Sequence, residues 1–94
     1  MIETNQELLR ATEELIAFFD LRGDSAASEE LRRGMGAING LGDGWGAFLD
    51  SVHAVKKRCG SRLEEPHRSK LKALHRAAYR AVYRGSLGRW WKYL

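Results

Sequence analysis

Residues 4–23 read TNQELLRATEELIAFFDLRG, and this stretch decides the fold. Thr4 is followed three residues later by Glu7, the spacing of a capping box in which two side chains satisfy a helix's first N–H groups reciprocally. At about 100° per residue, Leu8, Leu9, Ala11, Leu15, Ile16, Phe18 and Phe19 gather on one half of the helical wheel. Glu7, Arg10, Glu13, Glu14 and Asp20 take the other half. Gly23 supplies the left-handed stop that only glycine adopts without strain. A helix with one apolar face must bury it against further elements, so the rest of the chain has to provide them.

It provides three more helices. Asp24 or Ser25 is placed to cap a second helix running through Ala27, Leu31 and Ile38, with Asn39-Gly40 as its exit. Gly34 and Gly36 weaken its interior, each by about 1 kcal/mol relative to alanine. Asp43 is expected to cap a third helix, in which Trp45, Phe48, Leu49, Val52, Val55 and Cys59 recur at three-to-four spacing and Gly60 closes the run. Pro66 fits the first turn of a fourth, where Leu71, Leu74, Ala77, Ala78, Ala81 and Val82 face inward up to Gly85. Nothing alternates as a strand would. The expected fold is all-α, an antiparallel four-helix bundle in one small domain over residues 1–85. An aromatic, basic tail over 86–94 is expected to dock on it.

Composition agrees with a globular chain: 94 residues, 44% hydrophobic and 30% charged. A single cysteine, Cys59, leaves no internal disulfide and fits a reducing compartment. The early glutamates do not fit a secretory signal, no apolar run is long enough to span a bilayer, and the expected location is the cytoplasm. The net charge of +4 conceals a division. Residues 1–50 carry ten acids and four bases, whereas residues 51–94 carry twelve bases and two acids. Such asymmetry fits halves that complement each other or surfaces offered to different partners.

The features that invite a chemical reading resolve into ordinary ones. The glycines from Gly34 to Gly46 lack the Gly-Lys-Ser/Thr ending of a phosphate-binding loop, and no strand precedes them; they suit a close helix crossing and a tight turn. Asp50 and His53 share a helix face, and Glu64 and His67 have the same spacing. A carboxylate-bridged metal site needs more inward ligands than these, and His67 and His75 read as boundary residues. Cys59 lies on an apolar face, where a thiol behaves as a small hydrophobe. Neither a cofactor, a metal nor an enzymatic activity is expected.

The fourth helix carries the most specific pattern. Arg68, Lys72, Arg76, Arg80 and Arg84 recur every four residues as a basic ridge, flanked by Tyr79 and Tyr83 and followed by Trp90 and Trp91. Like charges at that spacing repel by a few tenths of a kcal/mol per pair, roughly, unless something acidic lies across them. The ridge fits a solvated face, or one compensated by the acids of helix one. It also fits nucleic-acid phosphates, or a protein partner for which arginine, tyrosine and tryptophan are favoured contacts.

The segment LRRGMGAINGLGDGW (residues 31–45), with the helix after it, resembles small helical bacterial proteins encoded beside secreted antibacterial toxins. The resemblance covers the middle third to half of the chain. It implies an immunity protein that neutralises a toxin by occluding it, and it carries no site residues with it. On that reading the partner is another protein, a cognate toxin. The contacts are either Arg76, Tyr79, Arg80 and Tyr83 with Trp90 and Trp91, or the acids Glu7, Glu13, Glu14 and Asp20. The alternative is a nucleic-acid-binding accessory protein using the ridge. Oligomeric state stays open, because Trp90 and Trp91 would equally serve a dimer contact.

Overall fold

The computed structural model describes residue 2 and residues 4–38 and 44–85, the side chain of Arg84 excepted. The chain is an all-α, antiparallel four-helix bundle: α1 (Asn5–Arg22), α2 (Ser25–Gly36), α3 (Gly44–Cys59) and α4 (His67–Arg80). A single 3-10 turn, Gly60–Arg62, follows α3, and a π turn, Ala81–Gly85, continues α4. Each helix packs on the next, and α4 returns to α1 to close the ring.

The start of α1 is fixed by Thr4, whose Oγ1 accepts the Glu7 N–H at 3.1 Å. The hydroxyl donates in turn to the Glu7 carboxylate at 3.1 Å, so the returning contact uses the side chain where a full capping box uses the N–H. At the other end Gly23 takes φ 81°. Its N–H reaches the Asp20 carbonyl at 3.1 Å, and the Asp24 N–H reaches that of Phe19 at 2.9 Å, a Schellman closure. Of the two expected caps for α2, Asp24 serves, its Oδ1 accepting the Ala27 N–H at 3.2 Å.

Two boundaries differ from the sequence reading. Helix α2 ends at Gly36, before Ile38. There the Ala37 N–H turns to the Arg33 and Gly34 carbonyls and the Ile38 N–H to that of Met35, tightening the last turn. Pro66 sits at the N-cap of α4 and not within its first turn, and the Ser69 hydroxyl is held by Glu65. The exit Asn39-Gly40, the cap Asp43 and the tail 86–94 with Trp90 and Trp91 lie outside the described residues.

The core is built from all four helices. Leu15, Phe19, Leu31, Phe48, Val52, Val55, Leu71, Leu74 and Ala78 are fully enclosed, joined by Leu63 from the connection between α3 and α4. Each large apolar side chain buried this way contributes about 1.5–3 kcal/mol. Three buried hydroxyls accompany them. Thr12 donates to the Leu8 carbonyl at 2.8 Å, Ser28 to that of Ser25 at 3.2 Å, and Ser51 to Glu30 Oε2 at 2.9 Å. Helices α2 and α3 pack closely at Gly34, where a Cβ would fall 2.6 Å from Ser51 Cβ. At Gly44 a Cβ would overlap the Ala37 carbonyl.

Candidate partner-binding face

With Leu71, Leu74, Ala77 and Ala78 turned into the core, the opposite side of α4 presents Arg76 and Tyr79 to solvent. Tyr79 is 51% exposed and Tyr83, one turn on, 46%. Their rings lie 4.3 Å apart at 34°, a joined aromatic surface that neither residue could offer alone. Tyr83 stands in the π turn, a wide turn often found where a helix serves a function.

Arg80 also makes a contact within the fold. Its Nη2 donates to the Ile2 carbonyl at 2.9 Å, so this guanidinium fastens the N-terminal segment to α4 and is half-buried there. Ile2 packs against the core beneath. The face presented by the described residues is therefore Arg76, Tyr79 and Tyr83, with Arg80 as a strut.

Charge compensation falls elsewhere than on the ridge. Among the described residues the ion pairs are Arg32 with Asp20, Arg33 with Glu30 and Lys70 with Glu14. Lys70 lies off the ridge, and Arg68, Lys72, Arg76 and Arg80 have no acidic partner among the described residues. The acids of α1, by contrast, are largely engaged. Glu14 is held below its ordinary pKa by the hydrogen bond and charge of Lys70, and Asp20 by Ser28 and Arg32. Glu7 receives the Thr4 hydroxyl, and Glu13 alone of the four is exposed without a partner among the described residues.

The histidines divide between packing and pairing. His67 stacks on Phe18 with ring centroids 3.7 Å apart. His53 on α3 meets His75 on α4 at 5.5 Å, and burial, Lys56 and His53 together lower the His75 pKa. Among the described residues no three His, Cys, Asp or Glu side chains gather closely enough to hold a metal. Cys59 is buried, its thiol 3.6 Å from Asp24 Oδ2, and burial followed by the Asp24 charge raises its pKa. A thiol so held is a weak nucleophile.

One feature escaped the sequence reading. Lys56 of α3 meets Arg68 and Lys72 of α4 around a cavity of about 500 Å³. The legible signal is that a short link between antiparallel helices sets the end of one beside the start of the next. Among the described residues no helix is long and apolar enough to cross a membrane. Comparison with models of known protein families finds no match to this chain, and comparison with curated proteins and with solved structures finds none either.

Proposed function

We propose that the chain is a non-catalytic protein-binding module whose contact face is Arg76, Tyr79 and Tyr83 on α4. The observation that carries this reading is the tilted, half-exposed tyrosine pair on a helix face with a guanidinium that has no acidic partner among the described residues. Large rigid aromatics and arginine supply most binding energy at protein interfaces. Two of the four acids on the rival face of α1, Glu14 and Asp20, are committed to the fold's own cations. In its sharpest form, drawn from the resemblance over residues 31–45, the module is an immunity protein. The tyrosines would fill a depression on a toxin, Arg76 would meet an acid, and the bundle would cover the active site. Attraction between opposite charges steers such encounters and sets their rate. A reducing compartment suits the lone Cys59, and the cytoplasm is the location this reading adopts.

Site-directed photo-cross-linking tests it. A photoreactive phenylalanine at position 83, expressed in the native cell, is expected to yield one protein adduct, and the same probe at position 13 none. A protein adduct at 13 alone would transfer the function to α1. A nuclease-sensitive adduct at 83 would replace the protein partner with nucleic acid.

A further inference from the structure

The cavity between the end of α3 and the start of α4 lies apart from the tyrosine pair and concentrates positive charge. Lys56, Gly60, Ser61, Arg68, Leu71 and Lys72 line it, and no carboxylate does so among the described residues. The Glu65 carboxylate is engaged locally, accepting the Ser69 hydroxyl. The Arg68 guanidinium lies 3.5 Å from the Ser61 carbonyl, and Lys56 is half-buried. The apolar floor is Leu71, itself in the core.

Lys56, Lys57 and Arg58 complement the negative end of the α3 dipole, which accounts for cations on α3. It does not account for Arg68, which stands in the first turn of α4 where a dipole disfavours positive charge, nor for Lys72 one turn further on. Two helices thus bring three cations to one recess at an electrostatic cost, and a bound anion would remove that cost. Three cationic side chains lining one open recess suit the several oxygens of a phosphate, and a volume of about 500 Å³ admits more than one phosphate. The field reaches beyond the recess, since Lys56 helps to lower the pKa of His75.

We infer that the recess formed by Lys56, Arg68 and Lys72 is a binding site for a small diphosphate-bearing anion. The ligand is either free pyrophosphate or the diphosphate of a nucleoside diphosphate. This goes beyond the protein-binding reading and does not depend on it.

The test is isothermal titration of the full chain, near physiological salt, with inorganic pyrophosphate and separately with adenosine diphosphate. One saturable site is expected. Lys56→Gln and Lys72→Gln should each weaken it about tenfold, the usual loss for one charge-assisted contact, and Arg76→Gln, outside the recess, should leave it unchanged. Tighter binding of the nucleotide would assign the ligand as a nucleotide, and equal binding would assign the diphosphate alone. Unsaturable binding, or equal losses in all three variants with circular dichroism showing each folded, would overturn the site in favour of diffuse attraction along the ridge. So would a single-stranded oligonucleotide that displaces pyrophosphate and is itself weakened as much by Arg76→Gln as by Lys72→Gln. A failed photo-cross-link at position 83 would leave these titrations untouched, so the two readings fail separately.

Discussion

Replacing Gly34 by alanine puts a methyl group where the bundle has no room for one. The new Cβ would lie 2.6 Å from Ser51 Cβ, 2.8 Å from Ser51 Oγ and 3.3 Å from Phe48 Cα. Ser51 Cβ is fixed to the α3 backbone and cannot rotate away, so the two helices must part. Overpacking of this kind costs about 1–3 kcal/mol. Moving Ser51 also disturbs its 2.9 Å hydrogen bond to Glu30, a loss of about 1 kcal/mol. Against these, alanine favours helix by about 1 kcal/mol over glycine. The balance is a destabilisation of about 2 kcal/mol, which for a domain of this size lowers Tm by roughly 10 °C. Gly36→Ala is the control: no atom lies within 4 Å of its Cβ position, and it should be neutral or slightly stabilising. Urea and thermal unfolding followed by far-ultraviolet circular dichroism read both. On a Ser51→Gly background, Gly34→Ala should cost much less, because the obstructing Cβ is gone. A Gly34→Ala protein as stable as the parent would refute the close crossing of α2 and α3.

Three further outcomes follow from the same geometry. Asp24→Ala removes the α2 cap and the acceptor for the Cys59 thiol; it should lose about 1 kcal/mol in urea unfolding, with Asp24→Asn recovering most of it. Glu14 and Asp20 have folded pKa values below their ordinary 4.5 and 3.8, so their stabilisation is complete above those values and is lost as pH falls through the folded ones. Tm should drop across that acid range, and Lys70→Met with Arg32→Met should flatten the drop; an unchanged acid limb would show that these surface pairs do not act. Cys59, buried and with a raised pKa, should react with a thiol reagent far more slowly in the native protein than in urea, and equal rates would contradict its burial.

Helix α1 is legible end to end because its signals are local: Thr4 and Gly23 bracket an apolar stripe interrupted at Thr12. The end of α2 is less so. Ile38 belongs to the apolar period and does pack against the core, but it does so from beyond the helix, which closes at Gly36. Thr12, Ser28 and Ser51 break the apolar pattern and are nonetheless buried, because a hydroxyl can satisfy itself on a nearby backbone carbonyl or, for Ser51, on Glu30 across the helix pair. Leu63 lies in a connection, where periodicity says nothing, yet it is buried. At the site, the spacing of Tyr79 and Tyr83 announces their pairing. The attachment of Arg80 to Ile2, 78 positions away, does not appear in any local pattern. It depends on α1 and α4 lying antiparallel. The same holds for the acids of α1, whose partners Arg32 and Lys70 come from two other helices.

The most direct measurement of the central claim is affinity capture of the tagged chain from its native extract after nuclease treatment, run in parallel for the parent, Arg76→Glu with Tyr79→Ala, and Glu13→Lys. The α4 reading predicts one stoichiometric protein that is retained by the parent and by Glu13→Lys and lost by the α4 variant. Retention by the α4 variant with loss in Glu13→Lys, or bound material that disappears with nuclease, would contradict it.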